Sequence, residues 1–116
     1  MKDTVFDNML FTIFSEIISS DKYMDRTKLI EQFMTCKKKY RFTGVGFFVE
    51  FIHDGNITLI GANEARHGEK LLIINNNIQV GTILFLNSGN ILMLEGFTYD
   101  QEWPKEILEF EFIMPI

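Results

Sequence analysis

The chain offers few side chains whose type and spacing suit catalysis or metal binding. Cys36 is its one cysteine, and no catalytic cysteine motif surrounds it, so packing at the edge of a helix is the favoured interpretation. His53 and His67 stand 14 positions apart and lack the short spacing of a metal-binding pair. We therefore predict no catalytic residue, no metal site and no cofactor.

A second group of candidate residues is acidic and aromatic. Carboxylates follow an apolar segment near the C-terminus, beside a Tyr and a Trp. Paired carboxylates can act as general acid and base, which keeps a small enzyme using Glu95, Asp100 and Glu102 as an alternative. Exposed Tyr and Trp beside charges are more typical of a protein interface. The predicted partner-binding residues are Glu95, Tyr99, Asp100, Glu102, Trp103, Glu64 and Glu69.

Charge is distributed unevenly along the 116 residues. Residues 44–116 hold 10 carboxylates and 3 basic side chains, a balance of −7, whereas residues 1–43 carry a balance of +2. Such a negative surface repels phosphate backbones, so we predict no nucleic-acid partner. It attracts basic proteins and accelerates their encounter, although solubility alone is a sufficient reason for such acidity.

The cellular compartment is predicted from the charged residues within the apolar segments, the length of those segments and the cysteine count. Asp3, Asp7 and Glu16 break the N-terminal segment, which therefore lacks a secretory pattern. No apolar run approaches the roughly 18 residues that span a bilayer. A single cysteine suits a reducing compartment. We therefore predict a cytoplasmic protein with no membrane partner.

Two helices are predicted in the N-terminal part. Apolar residues recur in pairs every four positions over 4–19, which is the period of a helix with one broad apolar stripe. A second helix is predicted over about 25–37, with Asp25 as its N-cap. Lys37, Lys38 and Lys39 would then follow its C-terminal end, where cations complement the helix dipole.

From Thr43 onward the apolar pattern changes to that of strands separated by turns. The fold class is therefore predicted to be α+β: one domain with two N-terminal helices packed on one antiparallel sheet of about five or six strands. Gly61–Glu69 is polar and is predicted to be a loop. The predicted strands are Val45–Ile52, Ile57–Ile60, Leu71–Ile74, Ile78–Leu86, Ile91–Leu94 and Ile107–Ile113.

The segments Ile83–Leu86 and Ile91–Leu94 are apolar on both faces, which is typical of strands in the middle of a sheet. One face is expected to meet the helices. The other must be covered by a loop or by another protein, which points to a protein partner or a homodimer. The predicted core is Phe6, Leu10, Ile13, Ile17, Ile30, Phe33, Phe48, Leu84, Phe85, Leu92 and Phe110.

A pattern of three segments runs through the C-terminal part: Thr43–Phe48 (TGVGFF), Gly81–Leu86 (GTILFL) and Leu94–Pro104 (LEGFTYDQEWP). Over about residues 40–112 the chain resembles a group of small bacterial proteins, some of which look like immunity proteins encoded beside toxins. The resemblance implies a non-catalytic protein that binds a basic toxin domain, a nuclease, and blocks its active site. A self-associating structural or regulatory module is the alternative.

Overall fold

The computed structural model of the chain describes residues 4–20, 24–53, 64–87 and 89–113. Within these ranges two helices precede six antiparallel strands, which confirms the predicted α+β class. The helices are α1 (Thr4–Ser19) and α2 (Arg26–Thr35). The strands are β1 (Lys37–Phe42), β2 (Gly46–Ile52), β3 (Glu64–Ile74), β4 (Ile78–Asn87), β5 (Asn90–Thr98) and β6 (Phe110–Phe112).

The strands form one sheet in the order β1-β2-β5-β4-β3-β6. The central strands β5 and β4 contain the two segments that are apolar on both faces, as the sequence predicted. Both helices pack on the same face of the sheet: α1 lies against β3 and β4, and α2 lies against β5. Their apolar stripes meet where the Phe14 and Phe33 rings stack with centroids 4.6 Å apart. Among the described residues, the main hydrophobic core therefore lies between the helices and one face of the sheet.

The second helix is shorter than predicted. Asp25 caps it as expected, because its side chain accepts a hydrogen bond of 3.1 Å from the backbone N–H of Lys28. The helix ends at Thr35, and the lysine run lies in the edge strand β1 rather than beyond a helix end. Lys38 nevertheless donates a hydrogen bond from its Nζ to the carbonyl of Phe33, one of the groups left unpaired at a helix C-terminus.

Several strand boundaries also differ from the prediction. Residues 64–69 of the predicted loop belong to β3, which pairs with β4 and has a bulge between His67 and Glu69. A polar strand next to a sheet edge lacks the apolar alternation on which the prediction depended. The last strand is only three residues long, and Leu108 is exposed before it. The predicted strand Ile57–Ile60 and the turn before it lie outside the described residues.

The core prediction was wrong at three positions. Phe48 and Phe85 are half-buried on the face away from the helices, and Leu92 is half-buried at a bulge of β5. A pattern that is apolar on both faces does not say which face meets the helices, and this caused the error. Ile30 and Phe110 are half-buried but pack against the core. Phe6, Leu10, Ile13, Ile17, Phe33 and Leu84 are buried as predicted.

Candidate protein-binding site

The sheet face opposite the helices, here called the outer face, is apolar over its central strands. Alternation along β2 buries Phe47, Val49 and Phe51 against the helices and turns Phe48 the other way. Residues that lie directly opposite each other on paired strands share a face of the sheet, so the same assignment applies to β5 and β4. Antiparallel sheets normally carry polar side chains on a solvated face. Over these strands the outer face instead carries Phe48, Glu50, Ile83, Phe85, Met93, Glu95 and Phe97, all half-buried except the buried Ile83.

Glu95 lies near the centre of the outer face. It stands opposite Phe48 on β2 and opposite Ile83 on β4. Along its own strand, Met93 and Phe97 are the neighbours on the same face. A half-buried carboxylate is thus surrounded by apolar side chains. The sequence identified this residue, but it gave no indication that Glu95 would be the acid set among the apolar side chains of β2, β4 and β5.

Tyr99 extends the outer face at the end of β5. Its ring lies edge-on to Phe97, with centroids 5.5 Å apart, and 45% of the residue is exposed. Asp100 and Glu102 follow in an exposed turn, where Asp100 has a left-handed backbone with φ of 57°. These acids therefore border the outer face rather than line a cleft.

Trp103 turns to the helix side of the sheet, away from the outer face. Its ring packs edge-on against Phe47 at 5.2 Å and against Phe6 at 6.5 Å. Beside it lies an open apolar groove of about 340 Å³. The groove is lined by Phe6, Phe42, Gly44, Trp103, Pro104, Lys105, Glu106 and Ile107.

Two of the segments singled out in the sequence form a single structural unit. β2 and β5 pair directly, and the chain beyond β5 stays attached to the start of β2. The backbone N–H of Thr98 donates to Val45 O, and that of Trp103 donates to Gly44 O, each at 2.8 Å. The TGVGFF and LEGFTYDQEWP segments therefore hold each other in place, which is a structural role for the pattern.

The two remaining predicted contact residues lie on β3. The backbone register sets Glu69 opposite Ile83, in the same cross-strand row as Glu95. Glu64 pairs with Asn87, which lies beside the first residue of β5, whereas Tyr99 follows the last residue of that strand. The fold thus places Glu69 and Glu95 in one cross-strand row, on either side of Ile83. It separates Glu64 from the other predicted residues.

The structure also brings Cys36 and His53, which are 17 positions apart in the sequence, into side-chain contact. His53 Nε2 lies 2.5 Å from the carbonyl of Ile91, so this nitrogen carries the donated proton. In the neutral ring Nδ1 is then an acceptor, and it lies 3.4 Å from Cys36 Sγ. The contact links the end of α2 to β2 and β5. No signal in the sequence could have revealed it, because it depends on how β1 and β2 pair.

A smaller hollow of about 230 Å³ lies between the helices and β1, lined in part by Asp7, Phe33, Met34 and Tyr40. Burial raises the pKa of the Tyr40 hydroxyl above its usual value, and the negative charge of Asp7 raises it further. The hydroxyl therefore loses its proton at a higher pH than a solvent-exposed tyrosine does.

Within the described residues, no group of three or more His, Cys, Asp or Glu side chains is arranged to hold a metal ion. In the same part of the chain, neither helix combines the length and the apolar character needed to cross a membrane.

No protein-family model, curated protein or solved structure matches this chain.

Proposed function

We propose that this chain is a non-catalytic inhibitor of the immunity type, which binds a basic toxin domain with the outer face of its sheet and blocks the toxin's active site. The observation that carries the proposal is the apolar outer face, which neither helix covers. Both helices pack on the opposite side, so nothing from α1 or α2 covers Phe48, Phe85 or Met93. Contiguous apolar surface of this kind is typical of protein interfaces.

The size of the outer face supports a protein partner. Six strands spaced about 4.8 Å apart span about 24 Å, and the length of β2 gives about 23 Å along the strands, so the whole sheet face covers about 550 Å², of which the apolar part over β2, β5 and β4 is about half. One partner contributes roughly 800 Å² to a standard protein interface. The outer face together with the turn at Tyr99 and Asp100 approaches that area.

Charge supports a basic partner. The −7 balance falls on residues 44–116, which contain all strands except β1, and the register places Lys37, Lys39 and Arg41 of β1 at the opposite edge of the outer face. Carboxylates at the rim of an apolar interface increase the rate of encounter with a cationic surface more than the final affinity. A nuclease that binds nucleic acid in a basic cleft presents such a surface, and acidic side chains can take the place of phosphates there.

The test uses the product of the adjacent reading frame as the binding partner, with calorimetry and surface plasmon resonance as readouts. We expect a stable complex, inhibition of the partner's activity, and an association rate that falls as salt rises, because ions screen the charges. Absence of binding at micromolar concentration would contradict the proposal.

A matched pair of variants locates the interface. Met93→Lys places a cation on the outer face and is expected to weaken binding at least about tenfold, as for a central interface residue. Met34→Lys makes the same change on α2, where the side chain is 66% exposed, and is expected to leave binding unchanged. Equal effects of the two substitutions would show that the outer face is not the interface.

A further inference from the structure

We infer that Glu95 is the specificity-determining residue of the outer face and that it receives an arginine side chain of the partner; this inference rests on the proposed function. The argument begins with the environment of the carboxylate. Phe48, Ile83, Met93 and Phe97 flank Glu95 across and along the strands. Any protein that covers these apolar groups also removes water from the carboxylate between them.

Glu95 has no cation of its own among the described residues. Arg41 lies in the same cross-strand row as Glu95, but β1 and β5 are two strands apart, so the backbones of the two residues are about 10 Å apart. The Arg41 guanidinium already lies 3.9 Å from Glu50 and 5.0 Å from the centre of the Phe48 ring. Glu50 therefore has a charged partner on this face, whereas no ion pair joins Glu95 to a described Lys or Arg side chain.

An unpaired carboxylate limits what can cover the outer face. Removing a charged group from water is costly unless an opposite charge and hydrogen bonds replace the water. A purely apolar partner surface would leave Glu95 buried and uncompensated. Residues 54–63, which join β2 to β3, contain no Lys or Arg, and the first basic residue after them is Arg66, whose backbone lies opposite Phe85 on β4.

A second copy of the chain also fits poorly. In a symmetric dimer the same patch meets itself across the two-fold axis. Because Glu95 lies near the centre of the patch, the Glu95 side chains of both copies would approach each other across the interface. Like charges in a desolvated interface are unfavourable. The occupant that fits is therefore a different protein with a cation opposite Glu95.

Arginine suits this position better than lysine. Its guanidinium is planar, is more weakly hydrated than an ammonium group, and forms two parallel hydrogen bonds with a carboxylate. It also stacks favourably on aromatic rings, and Phe97 is the adjacent ring on the same strand. The inferred contact is thus an arginine held by Glu95 and enclosed by apolar side chains of both proteins.

The first experiment needs no toxin. N-acetyl-arginine amide is titrated into the isotope-labelled chain while backbone amide shifts are followed by NMR. We expect saturable shifts centred on Glu95, Phe48 and Ile83, with weaker shifts for N-acetyl-lysine amide. Glu95→Gln, which keeps the shape and removes the charge, is expected to weaken binding of the probe about two- to fivefold, because water still reaches the pair when no partner covers it. Shifts that centre elsewhere, or that are equal in Glu95→Gln and the parent chain, would overturn the inference.

Glu50→Gln is the matched control, because it removes a carboxylate of the same face that is already paired with Arg41. We expect it to change arginine binding less than twofold. If it weakens binding as much as Glu95→Gln, the effect is general charge rather than a specific contact, and the inference is wrong. Equal melting temperatures of both variants and the parent chain establish that the fold is intact.

The same variants separate this inference from the proposed function. If the neighbouring gene product fails to bind while the arginine probe binds at Glu95, the proposed function is wrong and the inference stands. If the gene product binds equally well to Glu95→Gln, the function stands and the inference is wrong. Sedimentation equilibrium tests the second copy: dimers that become tighter in Glu95→Gln would identify the outer face as a self-association surface and overturn the inference.

Discussion

At the scale of single residues, the absence of a side chain at Gly96 allows the core to close. A Cβ atom built at Gly96 would lie 2.2 Å from the Phe47 ring, and one at Gly46 would lie 2.0 Å from the carbonyl oxygen of Gly96. The two glycines thus permit β2 and β5 to pair while Phe47 lies flat beneath them. Both glycines lie in the segments TGVGFF and LEGFTYDQEWP noted in the sequence, but the close approach that requires them is visible only once the strands are paired.

Gly96→Ala is therefore expected to be strongly destabilising. Phe47 is 1% exposed and is held by Phe6 and Trp103, so it has little room to move away from a new methyl group. Overpacking of this kind costs about 2 kcal/mol or more of the free energy of unfolding, measured by urea denaturation. Val45→Ala, at a side chain that is 54% exposed, is the control and is expected to change stability by less than about 0.5 kcal/mol.

At the scale of elements, the helices and most strands were predictable because their apolar periods are long and regular. The prediction failed where polar residues dominate a strand. β1 reads KKKYRF and resembles the end of a helix, and the first half of β3 resembles a loop. Both strands obtain hydrogen bonds by pairing with the next strand along the chain, and the local pattern of a polar segment carries no information about such pairing.

The β3–β4 hairpin illustrates how one turn residue fixes a distant segment. Asn75 and Asn76 both have a positive φ, of 50° and 67°, as a tight hairpin requires. In addition, the Asn75 side chain accepts a hydrogen bond of 2.7 Å from the backbone N–H of Leu108 and donates one of 3.0 Å to Glu106 O. The turn therefore anchors the chain that leads to β6.

Asn75→Ala is expected to lower stability by about 1–2 kcal/mol, because it removes these hydrogen bonds and leaves a side chain with low tolerance for positive φ. Amide hydrogen exchange is expected to accelerate at Leu108 and Glu109. Asn76→Gly keeps the turn and touches none of these bonds, so it should be neutral. If both variants have the same exchange pattern, the side chain of Asn75 is not the anchor.

At the scale of the whole molecule, the decisive feature is a sheet covered by helices on one side only. The sequence predicted the class of fold and the central strands, but it could not assign the two faces of β4. Leu84 is fully buried beneath the helices, whereas its neighbour Phe85 is half-buried on the outer face. In the sequence Glu95 was a candidate, like Asp100 and Glu102, because it is a carboxylate near a Tyr and a Trp. Its apolar neighbours on β2 and β4 were identified only by the strand register.

Adjacent substitutions test this one-sided arrangement. Leu84→Asp buries an unpaired carboxylate in the core, which costs several kcal/mol and is expected to abolish cooperative folding. Phe85→Asp places the same group one residue further on, facing the outer side, and is expected to retain the near-ultraviolet circular dichroism of the parent chain. A folded Leu84→Asp together with an unfolded Phe85→Asp would show that the faces are assigned the wrong way round.

The charges of β1 have a consequence for how the protein behaves in a crowded solution. An edge strand offers unpaired backbone groups to any other strand and so invites stacking of sheets into fibrils. Four of the six residues of β1 are Lys or Arg, so two such edges repel each other as they approach. The basic residues of β1 therefore oppose edge-to-edge association of sheets. This matters most for a protein whose sheet also has an apolar outer face.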